Sequence, residues 1–240
     1  MAGDAPNLQD TARWGRNWQA SDDWSSHTVS RAQAEQIAAG YAMLLRLLGQ
    51  DTGQGLIGIG IGSGAGHLEA ALAARGYAMT ASEWNDDGVR LIESQNPQLE
   101  RRIADLTTFH EPSTQDLIVC RELYPFTRTS DYGGQSAILS RLVDSLRPGG
   151  VLLLSGSDVS KPNCLDYQRT MRELAADRRV DRIAGPVLEP LLKRFPRSPF
   201  GATAYPLQNL VAELALGLLN RIHRPRIAGI RLYAIRRAAA

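Results

Sequence analysis

Glycine occupies every second position of Gly58-Ile59-Gly60-Ile61-Gly62-Ser63-Gly64-Ala65-Gly66. The run follows a short apolar stretch, Leu56 to Gly60, that reads as a buried strand. It precedes His67 to Arg75, an Ala- and Leu-rich segment that reads as a helix stopped by Gly76. Positions without side chains let a backbone turn sharply and let a ligand come close. The helix that follows leaves free amide N–H groups at its start for a polar ligand group. Glu83 comes 19 residues after Gly64, at the end of the next apolar run, Tyr77 to Ser82. A carboxylate there can accept hydrogen bonds from both hydroxyls of a ribose. Loop, strand–helix context and acid together predict a nucleoside-binding site. The competing reading is that the glycines only permit tight strand–helix packing.

The elements that must position these residues alternate along the chain. Ser30 reads as the N-cap of a helix from Arg31 to Leu48, and Asp51 to Gly55 as a turn. After the first two strands come a helix from Asp87 to Gln95, a strand from Arg102 to Asp105 and a strand from Asp116 to Cys120. A helix from Ala137 to Leu146 ends at Pro148-Gly149-Gly150 and leads into a strand from Val151 to Ser155. Such alternation predicts an α/β fold with a mostly parallel, doubly wound sheet. Beyond Ser155 the rhythm changes. Residues 164–195 read as helical with a break near Gly185-Pro186, residues 196–206 as a proline-containing loop, and Leu207 to Ile222 as another helix. Gly229 to Ile235 reads as a closing edge strand. The expected organisation is one overall domain: an N-terminal helical arm or lid (1–50), a core (51–160), a helical cap (161–228) and a closing strand (229–240).

Residues 56–155 resemble the class I S-adenosylmethionine-dependent methyltransferases, a Rossmann-like family. Ile59-Gly60-Ile61-Gly62-Ser63-Gly64 resembles the family's first signature, and Gly66 to Gly76 its first helix with the terminating glycine. Glu83 matches the family's ribose-binding acid. Ala104-Asp105-Leu106 is similar to the segment after the third strand, where Asp105 would accept from the adenine amino group. Gln115 to Glu122 resembles the fourth-strand signature, and Leu146 to Leu154 the turn into the fifth strand. The resemblance implies a seven-stranded Rossmann-like sheet and S-adenosyl-L-methionine as cofactor. It implies a cofactor site made of Gly60, Gly62, Ser63, Gly64, Glu83, Trp84, Asp105, Leu106, Cys120 and Arg121. Two departures are visible. The family's acid two positions before the first signature glycine, which helps hold the methionine amino group, is replaced by Gly58. The Asp/Asn-Pro-Pro-Tyr/Phe tetrapeptide of base-amine methylating enzymes is replaced by Glu122-Leu123-Tyr124-Pro125-Phe126.

Methyl transfer needs alignment of nucleophile and methyl, and sometimes a base. Candidate catalytic residues are Glu122 and Tyr124 after the fourth strand and His27 in the N-terminal arm. Asp131, Tyr132, Ser157 and Asp158 are further polar residues at the same end of the sheet. His67 reads as a packing or capping residue, and His110 and His223 as exposed loop residues. Trp14 and Trp18 either contribute to an aromatic lid with Trp24 or form the apolar face of a packed helix.

Composition bounds the rest. The chain has 240 residues, 43% of them hydrophobic and 22% charged, as expected of a soluble globular protein. Its two cysteines, Cys120 and Cys164, form no metal or disulfide framework, and no signal-peptide pattern appears, so the expected compartment is the cytoplasm. The net charge of +2 hides an asymmetry: residues 169–240 carry 14 Lys+Arg against 5 Asp+Glu. That basic third suits an anionic acceptor or is a solvated helical face. The expected activity is methylation of an oxygen or nitrogen of a small metabolite, with no DNA partner, no membrane span and a homodimer as a candidate assembly. An RNA acceptor ranks below a metabolite. A nicotinamide-dependent oxidoreductase, for which Gly60-x-Gly62-x-x-Ala65 is the fingerprint, and a non-catalytic methyltransferase-like binding protein are the alternatives.

Overall fold

The computed structural model describes residues 29–50, 55–123, 132–157, 173–188 and 230–239. Within them, helix α1 (Arg31–Leu47) precedes strand β1 (Ile57–Ile61), helix α2 (His67–Ala73) and strand β2 (Ala78–Glu83). Helix α3 (Asp86–Gln95), strands β3 (Glu100–Ile103) and β4 (Gln115–Arg121), helix α4 (Tyr132–Ser145) and strand β5 (Leu146–Ser157) follow. Strands β6 (Val180–Leu188) and β7 (Ile230–Arg237) complete a seven-stranded sheet of order β3-β2-β1-β4-β5-β7-β6. Strands β1 to β5 pair in parallel, while β7 runs antiparallel to both β5 and β6. This is the expected Rossmann-like α/β architecture. Strand order reverses between β1 and β4, and the crevice beyond the carboxyl ends of those strands is where such sheets take ligands.

Side-chain alternation builds one core on each face. On one face, Leu117, Val119, Val151, Leu153, Leu232 and Ala234 meet Ile37, Tyr41, Leu44 and Leu45 of α1 and Leu68 and Leu72 of α2. On the other, Ile59, Ile61, Ile118, Cys120, Leu152, Leu154 and Ile235 meet Ile138, Leu139, Leu142 and Val143 of α4. Helix α1 starts in a capping box, with the Ser30 hydroxyl accepting from the Gln33 amide and the Gln33 side chain accepting from the Ser30 amide. Arg75 ties α2 to α1 through an ion pair with Glu35 at 2.9 Å.

Several boundaries differ from the sequence expectation: α4 begins at Tyr132, five residues before Ala137, and three strands depart further. Residues 180–188 form a strand where a helix was expected, because β7 offers them a hydrogen-bonding edge. The break at Gly185-Pro186 falls where the β6–β7 register shifts, between Ala184 and Val187. A bulge on an outer strand tolerates a residue without an N–H. Strand β3 begins at Glu100, two residues early, because its partner is the run Thr80 to Glu83. Strand β5 begins at Leu146 and carries Pro148 and Gly149 through a second register shift against β4.

Gly58 lies inside β1 on the face covered by α1 and α2. A β-carbon there would meet the Met79 sulfur at 2.6 Å and Leu117 Cβ at 3.2 Å. Gly58→Ala is expected to lower the unfolding free energy by about 1–3 kcal/mol, read from urea titration with an unchanged denaturant slope.

Candidate cofactor site

The turn between β1 and α2 is made by Gly62, Gly64 and Gly66, with φ of 69°, 59° and 73°. All three are in the left-handed region, which costs other residues strain. The turning glycines therefore lie two residues later than a register set on Gly60-Gly62-Gly64. Gly60 is the penultimate residue of β1, and Gly58 lies two residues further down the strand. The residue two before the first turning glycine is thus Gly60, not Gly58. Gly58 is a packing position, buried between β2 and β4.

The loop is fastened at both ends. The Ser63 hydroxyl donates to the Gly60 carbonyl at 3.0 Å, and the Ser82 hydroxyl donates to the same oxygen at 2.7 Å. Ser63 N–H donates to the Ser82 carbonyl at 2.9 Å, and Ser82 N–H to the Ser63 hydroxyl at 3.1 Å. Asn96, just past α3, donates to the Ala65 carbonyl at 2.7 Å, and its amide sits 3.0 Å from His67 Nδ1. His67 thus has the packing role expected of it. Burial, together with the charge of Arg31, lowers its pKa.

Glu83 ends β2 and turns back under the loop. Its Oε1 accepts from Gly64 N–H at 2.6 Å, and the side chain is buried. Space for it comes from Gly88 in the first turn of α3, where a β-carbon would stand 2.6 Å from Glu83 Cβ and Cγ. Trp84 beside it is 45% exposed, with a face free to flank a planar ring. The carboxylate of Asp105, beyond β3, accepts from the amide and hydroxyl of Thr107, both at 2.8 Å, which fixes it as a turn. Leu106 is buried under α4's core, and Cys120 is buried in β4 opposite Ile61. Burial pushes the Cys120 thiol far up, which keeps it un-ionised.

Glu122 follows β4 with φ of 54° and donates its N–H to the Ser155 carbonyl at 2.9 Å. A left-handed non-glycine residue at a strand's carboxyl end is held there by its surroundings at a cost of about 1–3 kcal/mol. Leu123 then reaches back over Gly62, occupying the volume a side chain at Gly62 would need. The structure thus gathers Gly60, Gly62, Ser63, Gly64, Glu83, Cys120, Arg121 and Glu122 around the ends of β1, β2 and β4. Trp84, Asp105 and Leu106 line the next edge. His27, Tyr124, Asp131 and Asp158 lie outside the described residues.

One residue of this cluster escaped the sequence reading. Glu69, in the first turn of α2, is 3% exposed. It points at β1, where a β-carbon on Gly60 would overlap its carboxyl group. Its place on the same helical stripe as Leu72 was the available signal, since an acid among apolar positions is rarely accidental. Desolvation raises Glu69 to about 7, with Glu83 adding to the rise and its own amide, the Ser63 hydroxyl and Arg121 opposing it. Desolvation also raises Glu83 to about 7, against donation from the Gly64 and Trp84 amides. Among the described residues, no group of three or more His, Cys, Asp or Glu side chains could hold a metal ion, and no helix is long and apolar enough to cross a membrane.

No family model matches the chain. A 150-residue stretch is 29% identical to the chondramide synthase cmdD of Chondromyces crocatus, covering 57% of this chain and 4% of that protein. Among solved structures, the plantazolicin methyltransferase BpumL with S-adenosylhomocysteine superposes with a TM-score of 0.59 at 13% identity, covering 92% of this chain and 93% of that one. A TehB-like S-adenosylmethionine-dependent methyltransferase from Corynebacterium glutamicum gives 0.50 at 12% identity, covering 96% and 100%. The [4+2]-cyclase SpnF gives 0.51 at 11% identity, covering 82% and 81%. The chain has the fold of S-adenosylmethionine-dependent methyltransferases.

The two buried acids make stability depend on pH with a defined sign. Both bind a proton more tightly folded than unfolded, so stability falls as pH rises from about 4.5 through about 7. Glu69→Gln and Glu83→Gln are each expected to raise the ligand-free unfolding free energy at pH 8, by on the order of 1–3 kcal/mol. The gain should vanish near pH 4, as read by thermal unfolding across that range.

Proposed function

We propose that this chain binds S-adenosylmethionine at the carboxyl ends of β1, β2 and β4 and transfers its methyl group to an oxygen or nitrogen of a small acceptor. The observation that carries the reading is the buried Glu83 carboxylate hydrogen-bonded to the Gly64 amide, beneath a turn of three left-handed glycines. This arrangement fits the cofactor. One Glu83 oxygen is anchored by the loop, and the remaining lone pairs suit the two hydroxyls of a ribose. The exposed face of Trp84 and the segment at Asp105 and Leu106 suit the adenine. The side-chain-free backbone of Gly64 suits close approach by the rest of the molecule.

When bound, the cofactor supplies an electrophilic methyl on a sulfonium, which an acceptor lone pair displaces in line. The protein's contribution is to hold both partners in register and to keep water out. Glu122, held in the left-handed region at the end of β4, is the proposed base for an acceptor's proton. Tyr124 and His27 are its proposed neighbours, with the arm ahead of α1 as a lid and the chain between β6 and β7 as the cap that shapes the acceptor pocket; α1 and β6, expected in lid and cap, belong to the sheet and its core. The basic composition of residues 169–240 supports an acceptor bearing a carboxylate or phosphate. Cysteine usage supports a cytoplasmic setting.

The nicotinamide alternative loses support in this geometry. Set on the turning glycines, its fingerprint would read Gly62-x-Gly64-x-x-His67, which lacks the third small residue. Calorimetric titration is expected to give binding of S-adenosylhomocysteine and none of NAD. Glu83→Ala should weaken that binding by about 10- to 100-fold, the loss of charge-assisted bonds to the ribose. Preferential binding of NAD would overturn the reading.

A further inference from the structure

Glu69 is a buried acid for which the methyl-transfer reading has so far given no use. It is 3% exposed, and its Oε2 is fully buried with no hydrogen-bond partner. Its carboxyl group rests against the bare α-carbon of Gly60, with Glu69 Cγ and Cδ each 2.6 Å from where a β-carbon would be. The charged groups that act on it are Glu83, which repels its charge, and Arg121, which favours it. Its own amide donates to it, and the Ser63 hydroxyl lies close enough to favour its charge. An uncompensated buried carboxylate costs several kcal/mol. Such a group persists where it meets a cation that arrives with a ligand.

We infer that the Glu69 carboxylate, reaching β1 through the gap left by Gly60, receives the α-ammonium group of the cofactor's amino-acid end. The inference rests on the proposed cofactor reading. Glu83 takes the ribose on the β2 side of the glycine turn, and Glu69 rises beneath the same turn from α2. The cofactor has two cationic centres, the sulfonium at the reacting methyl and the ammonium at the far end of its chain. Glu69 sits under the turn, and the left-handed Glu122 lies beyond β4, where the proposed reading puts the acceptor. The ammonium, with three N–H donors, is the centre that can satisfy an unpartnered carboxylate oxygen, because a sulfonium donates no hydrogen bond.

The test uses the full chain, Glu69→Gln, and two probes: S-adenosylhomocysteine and the analogue that lacks only its amino group. Neither carries a sulfonium, so any charge effect reports the ammonium. Wild type is expected to prefer S-adenosylhomocysteine by about tenfold or more, a charge-assisted hydrogen bond's worth. Glu69→Gln is expected to lose that preference while binding the amino-free analogue within about twofold of wild type. Equal loss for both probes, or no loss for either, would overturn the inference. Absence of binding of either probe to wild type would instead overturn the cofactor reading itself. If Glu69→Gln fails to fold, the exchange Gly60→Asp with Glu69→Ala moves the carboxylate onto the strand. It should retain the preference, and a preference that vanishes would count against the inference.

Discussion

A carboxylate removed from water must be met by donors or by a cation, and this protein buries two of them beside the glycine turn, Glu69 on α2 and Glu83 at the end of β2. Glu83 is met in part by the Gly64 amide, and Glu69 has one oxygen with no partner. Everything around the ends of β1 and β2 is arranged to keep both acids there. Gly88 yields volume to Glu83 and Gly60 yields it to Glu69. The Ser63 and Ser82 hydroxyls converge on the Gly60 carbonyl, so the strand end cannot drift from the acids it shelters. Neighbouring like charges each disfavour ionisation of the other. The pair of acids is therefore disposed to take up positive charge, and a ligand that brings it offsets their cost in folding.

The sheet explains why the acids can be placed so closely. Parallel strands β1, β2 and β4 end together, and the reversal of strand order beside β1 opens the crevice. Two consecutive inward positions of β1, Gly58 and Gly60, have no side chain, and each gives its space to a neighbour. At Gly58 the space goes to Met79 and Leu117, and at Gly60 it goes to Glu69. One strand thus uses the same device twice, once for packing and once for chemistry.

Much of this was legible in the sequence. The alternating glycines, the strand before them and Glu83 after the second strand announced the site, because turning glycines and a terminal acid have few other uses together. The register within the glycine run was not legible. Five glycines at equal spacing contain two overlapping patterns, and only backbone dihedrals separate the strand glycines from the turn glycines. Glu69 was missed for a related reason: a single acid in a short helix reads as a solvated position until the facing strand is known to be bare. Strand β6 was misread because Val180 to Leu188 carries Asp181, Arg182 and a Gly-Pro pair, and its strand character comes from β7, about 50 residues away in sequence. The short, charged β3 owes its boundaries to β2 in the same way.

The fold alone does not fix the reaction, since a methyltransferase and a cyclase both superpose on this chain. Within the proposed reading, the two acids and the reacting end do different work. An ammonium and a ribose are unchanged between cofactor, transition state and product, so contacts from Glu69 and Glu83 bind all three alike. Uniform binding of that kind lowers the concentration of cofactor needed without accelerating transfer. Rate enhancement must come from groups whose interactions change as the methyl moves. In that reading the residue proposed for this is Glu122, where the backbone after β4 is held in a conformation that costs energy. On the same reading the pair of buried acids holds the ligand without speeding the transfer, and only a group facing the acceptor, such as the one proposed at Glu122, can set the rate.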